Sequence, residues 1–325
     1  MYLTIASIFT SSLCLISCTT NEIDFTTNVM NVRMNLPIKT YDGGNEALHP
    51  KVLYFKNSWK GYKYWLVCTP YKGNNDAIEN PCIYVSDDGK SWSVKEGAMN
   101  PIANIDDVKF EYNSDPHLVY RQDLNRLECW FRHSYRTNSP IKPNSEQIFR
   151  SYTYDGVTWS KKELLYESLN TERALICPVV LFEEGKYKIW VSHCTVDVNI
   201  RPLAYFESRN GNDWQKIREI TVNVEKSVPS HFDIIHTNKG YELVYFGIYN
   251  QVIDNYWYAV SLDNVNYSVP VIILQKGTNG SWDSGRLYRP SITFVDNKYF
   301  LYYSAYSNTG KVNLGLICTD NLTKL

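Results

Sequence analysis

The sequence has no excess of charge of either sign, no cysteine pair of the metal-binding type and no amphipathic helical stretch. Its 325 residues carry 33 Lys and Arg against 34 Asp and Glu, which gives a formal net charge of -1. A chain without a basic excess lacks the electrostatic footprint of a nucleic-acid-binding protein, so that class of partner is excluded. The cysteines beyond Cys18 form no CxxC pair, which argues against a zinc knuckle and leaves one or two disulfides open.

The N-terminus carries an apolar run, Leu3 to Ile16, that has the length of a signal peptide and is too short to span a membrane as a mature helix. The run ends in Leu15-Ile16-Ser17-Cys18, which resembles a bacterial lipoprotein box with Cys18 as the lipidated residue. We therefore expect a lipoprotein signal peptide over residues 1–18, a polar tether over 19–27 and a single domain over 28–325. The domain would be exported and held at the outer membrane or cell surface through the lipid alone. An ordinary cleaved signal peptide is the alternative.

One phrase occurs five times along the chain, a polar turn in which Asp or Asn precedes Gly or Asn. The copies SDDGKSW, TYDGVTW, SRNGNDW, SLDNVNY and CTDNLTK begin at Ser86, Thr153, Ser208, Ser261 and Cys318. The equivalent turn positions are Gly89, Gly156, Gly211, Asn264 and Asn321, and the intervals between them are 67, 55, 53 and 57 residues. Spacing of this size is typical of repeat architectures, in which each unit packs against its neighbours.

Each unit has two or three short runs of aromatic and β-branched residues before this turn and, in the first four units, another run after it. In the third unit the runs are VVLF, YKIWVSH, LAYFES and WQKIREITV. Such runs, punctuated by Gly, Asn and Asp, predict strands joined by tight turns. Four strands in each of five units predict an all-β fold, a five-bladed β-propeller.

The fifth unit lacks a fourth strand of its own. The strand-like segment Asn28–Ile38 remains unassigned at the other end of the sequence. Because an open ring would leave an unpaired strand edge, we expect this segment to supply the outer strand of the last blade.

The first strand of each unit begins with a residue that precedes proline or occupies the same slot. These residues are His49, Asp115, Cys177, His231 and Arg289. Proline is tolerated where a strand begins, and the first strand of a propeller blade lines the central channel. The five residues should therefore surround one mouth of that channel.

Other strand ends reach the same mouth, as do alternate residues of the first strands. They add Tyr71, Glu79, Asn80, His117, Arg132, His133, Glu172, His193, Arg201, Asp233, Arg286, Tyr288 and Tyr306. Every histidine except His236 then lies at one mouth, and this segregation favours a functional site there.

These residues and the repeats over about residues 45–325 resemble the five-bladed propeller glycosidases of the invertase, arabinanase and β-xylosidase type. The resemblance implies a glycoside hydrolase with three acidic residues at the channel mouth. Asn113–His117 matches the Asp-Pro motif of blade two in that family, with Asp115 as the aspartate. Blade one has His49-Pro50 where the family has Asp-Pro. Blade three has Cys177-Pro178, and the nearest acid to it is Glu172.

Glycoside hydrolysis needs two carboxyl groups that flank the scissile bond. We assign Asp115 and Glu79 as the central catalytic pair, with Asp233 or Glu172 as the alternate acid. The side chains expected to bind a carbohydrate substrate are His49, Asn80, His117, Arg132, His133, His193, Arg201, His231, Arg286, Tyr288, Arg289 and Tyr306. We expect a monomer that needs no cofactor.

Two other functions stay open. The missing aspartate of blade one favours a surface lipoprotein that binds glycans without catalysis. Alternatively, two or three neutral histidines and Asp115 could hold a divalent ion in a metal-assisted enzyme, although no HxxxH pair lies on one element.

Overall fold

The computed structural model describes residues 30–168, 174–194, 202–220, 222, 228–248 and 255–325. The expected signal peptide with Cys18, the tether, Glu172 and Arg201 lie outside the described residues. Within them, no helix is both long and apolar enough to cross a membrane.

The described chain forms five small antiparallel sheets. The strands are β1 Met34–Leu36, β2 Ala47–Trp59, β3 Tyr62–Pro70, β4 Cys82–Ser86, β5 Glu111–Arg121, β6 Arg126–Tyr135, β7 Glu146–Thr153, β8 Glu163–Ser168, β9 Ala174–Glu183, β10 Lys186–Cys194, β11 Leu203–Ser208, β12 Gln215–Ile220, β13 Val228–Thr237, β14 Gly240–Ile248, β15 Asn255–Ser261, β16 Val271–Gln275, β17 Arg286–Val295, β18 Lys298–Tyr306 and β19 Val312–Thr319. Blade one consists of β2 to β4, blade two of β5 to β8, blade three of β9 to β12, blade four of β13 to β16, and blade five of β17 to β19 with β1. The first strands β2, β5, β9, β13 and β17 contact one another in a ring. The prediction of a five-bladed β-propeller is confirmed.

The N-terminal strand closes the ring, as expected. β1 runs antiparallel to β19, with Met34 opposite Leu316. Leu36 is buried in the interface between blades five and one, and Arg33 forms a 2.8 Å ion pair with Asp283. Without β1, the backbone N–H and C=O groups along the edge of β19 would have no strand to pair with.

Blade one has three strands instead of the predicted four. In the segment WSVKE that follows its turn, Ser93 alone forms a bridge, to Val85 of β4. Further along the edge, the side chain of Asn100 replaces a strand. Its Oδ1 accepts a hydrogen bond from the Ile83 N–H at 2.8 Å, and its Nδ2 donates to the Ile83 carbonyl at 2.9 Å. One amide therefore satisfies both backbone groups that a fourth strand would pair.

Side chains within the repeated turns hold those turns in shape. In blade one, Ser86 Oγ accepts hydrogen bonds from the N–H groups of Asp88 and Gly89, and Asp88 Oδ1 accepts from those of Lys90 and Ser91. Gly89 has a φ of +68°, a left-handed conformation that glycine adopts readily. The two bonds to the Asp or Asn side chain recur in blades two, three and four. The bond from the glycine N–H to the hydroxyl recurs in blades two and three. These bonds explain the repetition of the phrase.

The fifth copy of the turn is displaced by one residue from the predicted register. Thr319, rather than Cys318, lies opposite Tyr299 and accepts the first hydrogen bond of the turn, from the Asn321 N–H at 3.2 Å. Asn321 therefore takes the place of Asp88, and its φ of -149° is extended rather than left-handed. The prediction that Asn321 corresponds to the turn glycine is wrong, because the polar pattern permits either alignment.

The apolar core lies between neighbouring blades. Trp65 of β3 is fully buried against the turn of blade two, where a Cβ on Gly156 would lie 2.2 Å from its ring. Tyr302 of blade five donates a hydrogen bond to the Gly89 carbonyl of blade one at 3.0 Å. Each of these turns thus contacts an aromatic side chain of the preceding blade. The residues of the repeated turn therefore also pack at an interface between blades.

Each blade contributes one ring to the wall of the channel at the end opposite the predicted site. The rings belong to Tyr54, Tyr120, Phe182, His236 and Phe294, and they line a cavity of about 520 Å³. His236, the one histidine not expected at the other mouth, therefore lies at this end.

Candidate active site

Three residues at the expected mouth have backbone conformations that favour glycine. His49, Asp115 and Cys177 have φ values of +54°, +51° and +54°. At each of them the pairing with the following strand shifts register, as it also does next to His231 and Arg289. A bulge of this kind bends the strand and redirects a side chain, and such strain is concentrated at functional sites.

Three of these five side chains converge on one carboxylate oxygen of a fourth, Asp115. Oδ1 of Asp115 lies 3.4 Å from Nε2 of His49, 3.2 Å from Nε2 of His231 and 3.6 Å from Nη1 of Arg289. All four side chains are buried. The two imidazole rings are stacked, with centroids 5.6 Å apart and planes 17° apart. The structure thus brings together residues from blades one, two, four and five.

Cys177, the fifth member of the expected ring, makes different contacts. Its Sγ accepts a hydrogen bond from the Phe232 N–H at 3.3 Å and lies 3.2 Å from the Phe232 carbonyl oxygen. Burial raises the pKa of this thiol to about 12. Cys177 therefore joins blades three and four as a neutral thiol.

Two guanidinium groups flank Asp115. Arg289 lies at its Oδ1, while Nη1 of Arg132 lies 3.4 Å from its Oδ2. Arg132 also forms a bidentate pair with Glu146, at 2.6 and 2.9 Å. Burial alone would raise the pKa of Asp115, but His49, His231 and Arg289 outweigh burial and hold that pKa well below its usual range. Asp115 is therefore ionised at neutral pH.

The two imidazoles beside Asp115 are neutral at the same pH. Burial lowers the pKa of His49 to about 3, although the charge of Asp115 acts in the opposite direction. Burial likewise lowers the pKa of His231, again against the effect of Asp115. Neutral imidazole is the form of histidine that binds metal ions.

Glu79 lies on the other side of His49 from Asp115. Its Oε1 is 3.2 Å from Nδ1 of His49, which also lies 3.1 Å from the hydroxyl of Thr69. Burial, reinforced by the charge of Asp115, raises the pKa of Glu79 well above its usual range. Asp115 and Glu79 are thus close neighbours, but the ring of His49 stands between the two carboxyl groups.

The geometry of His49, Asp115 and His231 fits a metal ion. Their candidate ligand atoms all lie within 4.8 Å of one another. A tetrahedral ion with ligand bonds of about 2.0–2.1 Å holds neighbouring ligand atoms about 3.3 Å apart, and the observed separations from Asp115 are 3.2 and 3.4 Å. Nε2 of His49 is buried without a hydrogen-bond partner among the described residues, and Oδ1 of Asp115 has His231 as its hydrogen-bond partner. Thr69 and Glu79 at Nδ1 orient His49 in the way that outer ligands orient a metal-binding imidazole.

Asp233 and His117 lie deeper along the channel than the cluster. The carboxylate of Asp233 binds Lys51 Nζ at 2.7 and 2.8 Å and accepts a hydrogen bond from the Ile292 N–H at 2.8 Å. These contacts give Asp233 a role in joining blades one, four and five, and they do not favour the expected role of alternate acid. His117 is fully buried, and burial followed by the charge of Lys51 holds its pKa well below the usual value.

His133 and Asn80 form a layer behind the site. His133 lies 2.8 Å from Glu111 and 2.9 Å from Oδ1 of Asn113, whose amide donates to Asn80 at 2.8 Å. This buried network connects blades one and two. The side chain of His193 lies outside the described part of the chain.

Tyr288, Tyr306 and Arg286 form a shelf beside the cluster. The ring centroid of Tyr288 is 4.4 Å from that of His231 and 5.5 Å from that of His49. The guanidinium of Arg286 lies 3.9 Å from the ring centroid of Tyr306. All three were expected at this mouth. Tyr288 adjoins the two histidines, and Tyr306 and Arg286 pack against Tyr288.

Three residues of the site were not singled out in the sequence. Glu146 pairs with Arg132, Thr69 contacts His49, and Lys51 binds Asp233. Thr69 lies two residues before Tyr71 at the end of a second strand, so the alternation of β3 could have indicated it. Nothing in the local sequence distinguishes Glu146 or Lys51 from surface residues of their strands.

The fold and the site together define a five-bladed propeller with a buried His–Asp–His cluster at one mouth of the channel. No protein-family model matches the chain. A curated protein from Flavonifractor plautii, an A type blood N-acetyl-α-D-galactosamine deacetylase, is 29% identical over 115 residues. That match covers 35% of this chain and 14% of the length of the relative.

Solved structures match over nearly the whole chain. An N-acetylgalactosamine deacetylase from F. plautii, in complex with blood group B trisaccharide, has a TM-score of 0.77 at 18% identity, over 89% of this chain and 95% of the other. An exo-1,5-α-L-arabinanase from a bovine ruminal metagenomic library has a TM-score of 0.55 at 16% identity, over 84% and 92%. At these identities the structures establish the fold, and the resemblance to the five-bladed propeller glycosidases is confirmed at that level.

Proposed function

We propose that this protein is a hydrolase that removes an acyl group from a glycan, with a divalent metal ion held by His49, Asp115 and His231. The observation that carries the proposal is the buried cluster of two neutral imidazoles and one ionised carboxylate, with separations that suit tetrahedral ligands. The similarity to a protein named as an N-acetylgalactosamine deacetylase supports an N-acetylated sugar as the substrate.

The residues around the cluster have distinct roles in this proposal. The ion, when bound, would polarise the acyl carbonyl and lower the pKa of a water molecule. Arg289 helps to keep Asp115 ionised, and Arg132 lies against its Oδ2. Thr69 and Glu79 lie at Nδ1 of His49, and Nε2 of that ring faces Asp115.

Glu79 lies at Nδ1 of His49, and the candidate ligand atom of that ring is Nε2. Its role in this proposal is therefore to position the imidazole rather than to reach the attacking water. The tyrosine rings beside the histidines provide a face on which a sugar ring can pack.

Glycoside hydrolysis by Asp115 and Glu79 is the second candidate, favoured by the propeller glycosidases among the structural neighbours. A glycosidase needs two carboxyl groups that reach either side of the bond. Here two imidazoles and two guanidiniums surround Asp115, and His49 separates it from Glu79. These contacts favour the acyl hydrolase over the glycosidase.

One experiment separates the candidate functions. Purified protein would be treated with EDTA, resupplied with Zn²⁺, Mn²⁺ or Co²⁺, and incubated with N-acetylated and O-acetylated oligosaccharides. Acetate and reducing ends would be measured in parallel. We expect metal-dependent release of acetate and no new reducing ends. Release of reducing sugar without acetate would support the glycosidase instead, and binding without either product would support a glycan-binding lipoprotein.

Matched variants locate the activity. His49→Gln removes one of the three candidate ligands and should lower acetate release more than about 100-fold. His133→Gln removes a buried histidine of the layer behind the site and should leave most of the activity. Equal losses in both variants would contradict the assignment of His49.

We also propose that the chain is exported and anchored by a lipid on Cys18, which the lipoprotein-like box supports. In a bacterial host, the wild-type chain should enter the detergent phase of a Triton X-114 separation, and Cys18→Ser should remain in the aqueous phase. Equal partitioning of the two chains would contradict the anchor.

A further inference from the structure

Arg286 differs from the other arginines at this mouth. Arg289 and Arg132 lie against Asp115, and Arg132 also pairs with Glu146. Arg136 pairs with Asp76 at 2.6 Å. Among the described residues, Arg286 has no carboxylate oxygen within the 4.0 Å of an ion pair. The part-buried guanidinium of Arg286 therefore has no charged partner in the described part of the chain.

The backbone holds Arg286 in a fixed place. It lies directly opposite Tyr306 across β17 and β18, so the contact between guanidinium and ring follows from the strand register. Just before it, the Gly285 N–H donates to the Tyr306 carbonyl at 2.8 Å. A Cβ at Gly285 would lie 2.3 Å from the Ser307 oxygen, so only glycine permits this approach. The guanidinium also forms a hydrogen bond with the Tyr306 side chain. Stacking on an aromatic face orders the guanidinium, and its five N–H donors exceed what this one bond uses.

The position of Arg286 relates it to the candidate active site. Its guanidinium is 5.5 Å from the ring centroid of Tyr288, and that ring contacts both His49 and His231. Arg286 thus lies one aromatic ring away from the candidate metal ligands. Tyr71 packs in the same small cluster as Tyr288 and Tyr306, and phenol hydroxyls can donate further hydrogen bonds to an anion.

We propose that Arg286, with Tyr71, Tyr288 and Tyr306, forms a subsite for a negatively charged substituent of the glycan, a carboxylate or a sulfate. A guanidinium binds the oxygens of such groups through paired, charge-assisted hydrogen bonds. The substrate class is then an anionic glycan, such as one that contains a uronic acid or a sulfated sugar. This proposal rests on the function proposed above, because that function places the reacting sugar between the two histidines and the group formed by Tyr288, Tyr306 and Arg286.

Calorimetry tests the subsite without requiring activity. The full chain in EDTA would be titrated with methyl galactoside, methyl galacturonide and galactose 6-sulfate, and with the corresponding gluco-configured sugars. We expect at least one charged sugar to bind roughly tenfold to a hundredfold more tightly than its neutral counterpart, as charge-assisted hydrogen bonds imply. Preference for the uronide indicates a carboxylate, and preference for the 6-sulfate indicates a sulfate. Both results support the subsite.

Two substitutions of Arg286 test whether this residue causes the preference for charged sugars. Arg286→Gln should abolish it, and Arg286→Lys should retain part of it. Arg136→Gln, which removes an arginine already paired with Asp76, should leave the preference unchanged. Equal binding of charged and neutral sugars, absence of binding at millimolar concentration, or a preference that survives in Arg286→Gln would overturn the proposal. Since binding is measured in EDTA, a chain that fails to release acetate can still show the preference, so the two proposals can fail separately.

Discussion

A metal ion that binds His49, Asp115 and His231 should raise the thermal stability of the protein. Nε2 of His49 is buried without a hydrogen-bond partner among the described residues, and it points to the same oxygen of Asp115 as His231 does. A ligand that binds the folded state alone, at a free concentration 100 times its Kd, adds about 2.7 kcal/mol to the free energy of unfolding. With an unfolding entropy of about 2.1 cal/mol/K per residue, a domain of about 300 residues shifts by about 1.6 °C for each kcal/mol, so the midpoint should rise by about 4 °C.

The assay is a thermal melt of EDTA-treated, desalted protein titrated with Zn²⁺, Mn²⁺, Co²⁺ and Ca²⁺. A site with two imidazoles should favour the transition metals and Zn²⁺ over Ca²⁺, which prefers oxygen ligands. His231→Gln should remove the shift, while His133→Gln should keep it. A histidine is a better choice for substitution than Asp115. Asp115→Asn would remove the carboxylate beside the buried guanidinium of Arg289 and cost about 3–5 kcal/mol by itself.

Two results would refute the reasoning. One is a wild-type midpoint that does not move with any of the four ions. The other is a shift of equal size in His231→Gln, which would place the bound ion elsewhere in the molecule.

Three further predictions concern stability. Burial raises the pKa of Glu79. The folded state therefore keeps a proton that the unfolded chain loses above about pH 4.5. As a result, the contribution of Glu79 lowers the free energy of unfolding as pH rises. Glu79→Gln should therefore gain stability relative to wild type between about pH 5 and pH 8 in urea denaturation, and a constant difference would contradict the shift. Gly156→Ala forces a Cβ to within 2.2 Å of a tryptophan ring and should cost about 2–4 kcal/mol. Gly61→Ala, with no atom within 4 Å, should cost only about 1 kcal/mol, and similar losses would exclude the contact as the cause. Finally, deletion of residues 1–38 should expose the edge of the last blade and cause aggregation on size exclusion, relative to deletion of residues 1–27.

The sequence by itself determined the number of blades and how the ring closes. Each blade is specified locally, since the Ser, Asp and Gly of each turn bond to backbone groups within five residues. Strand runs of aromatic and β-branched residues are also a local signal. The closing strand β1 followed from counting, because a propeller cannot leave the edge of one blade unpaired.

The mouth of the channel was also predictable, because the direction of each strand and its starting residue are set by the repeat. His49, Asp115, His231 and Arg289 were expected to share one rim, and the structure brings them within contact distance. The repeat fixes which end of a strand a residue occupies. It does not fix which neighbour the side chain will contact.

Only the tertiary structure decided those contacts. Glu79 lies against His49 rather than directly against Asp115, and Asp233 is held by Lys51 below the rim. The direction of a side chain at a bulge depends on the backbone twist and on the charges that other blades present across the channel. Those charges come from residues far apart in sequence, such as Lys51 and Asp233, which are separated by 182 positions. An ion pair between residues so far apart cannot be recognised from the sequence around either residue. The turns and strands that bring the two residues together can be recognised in that way.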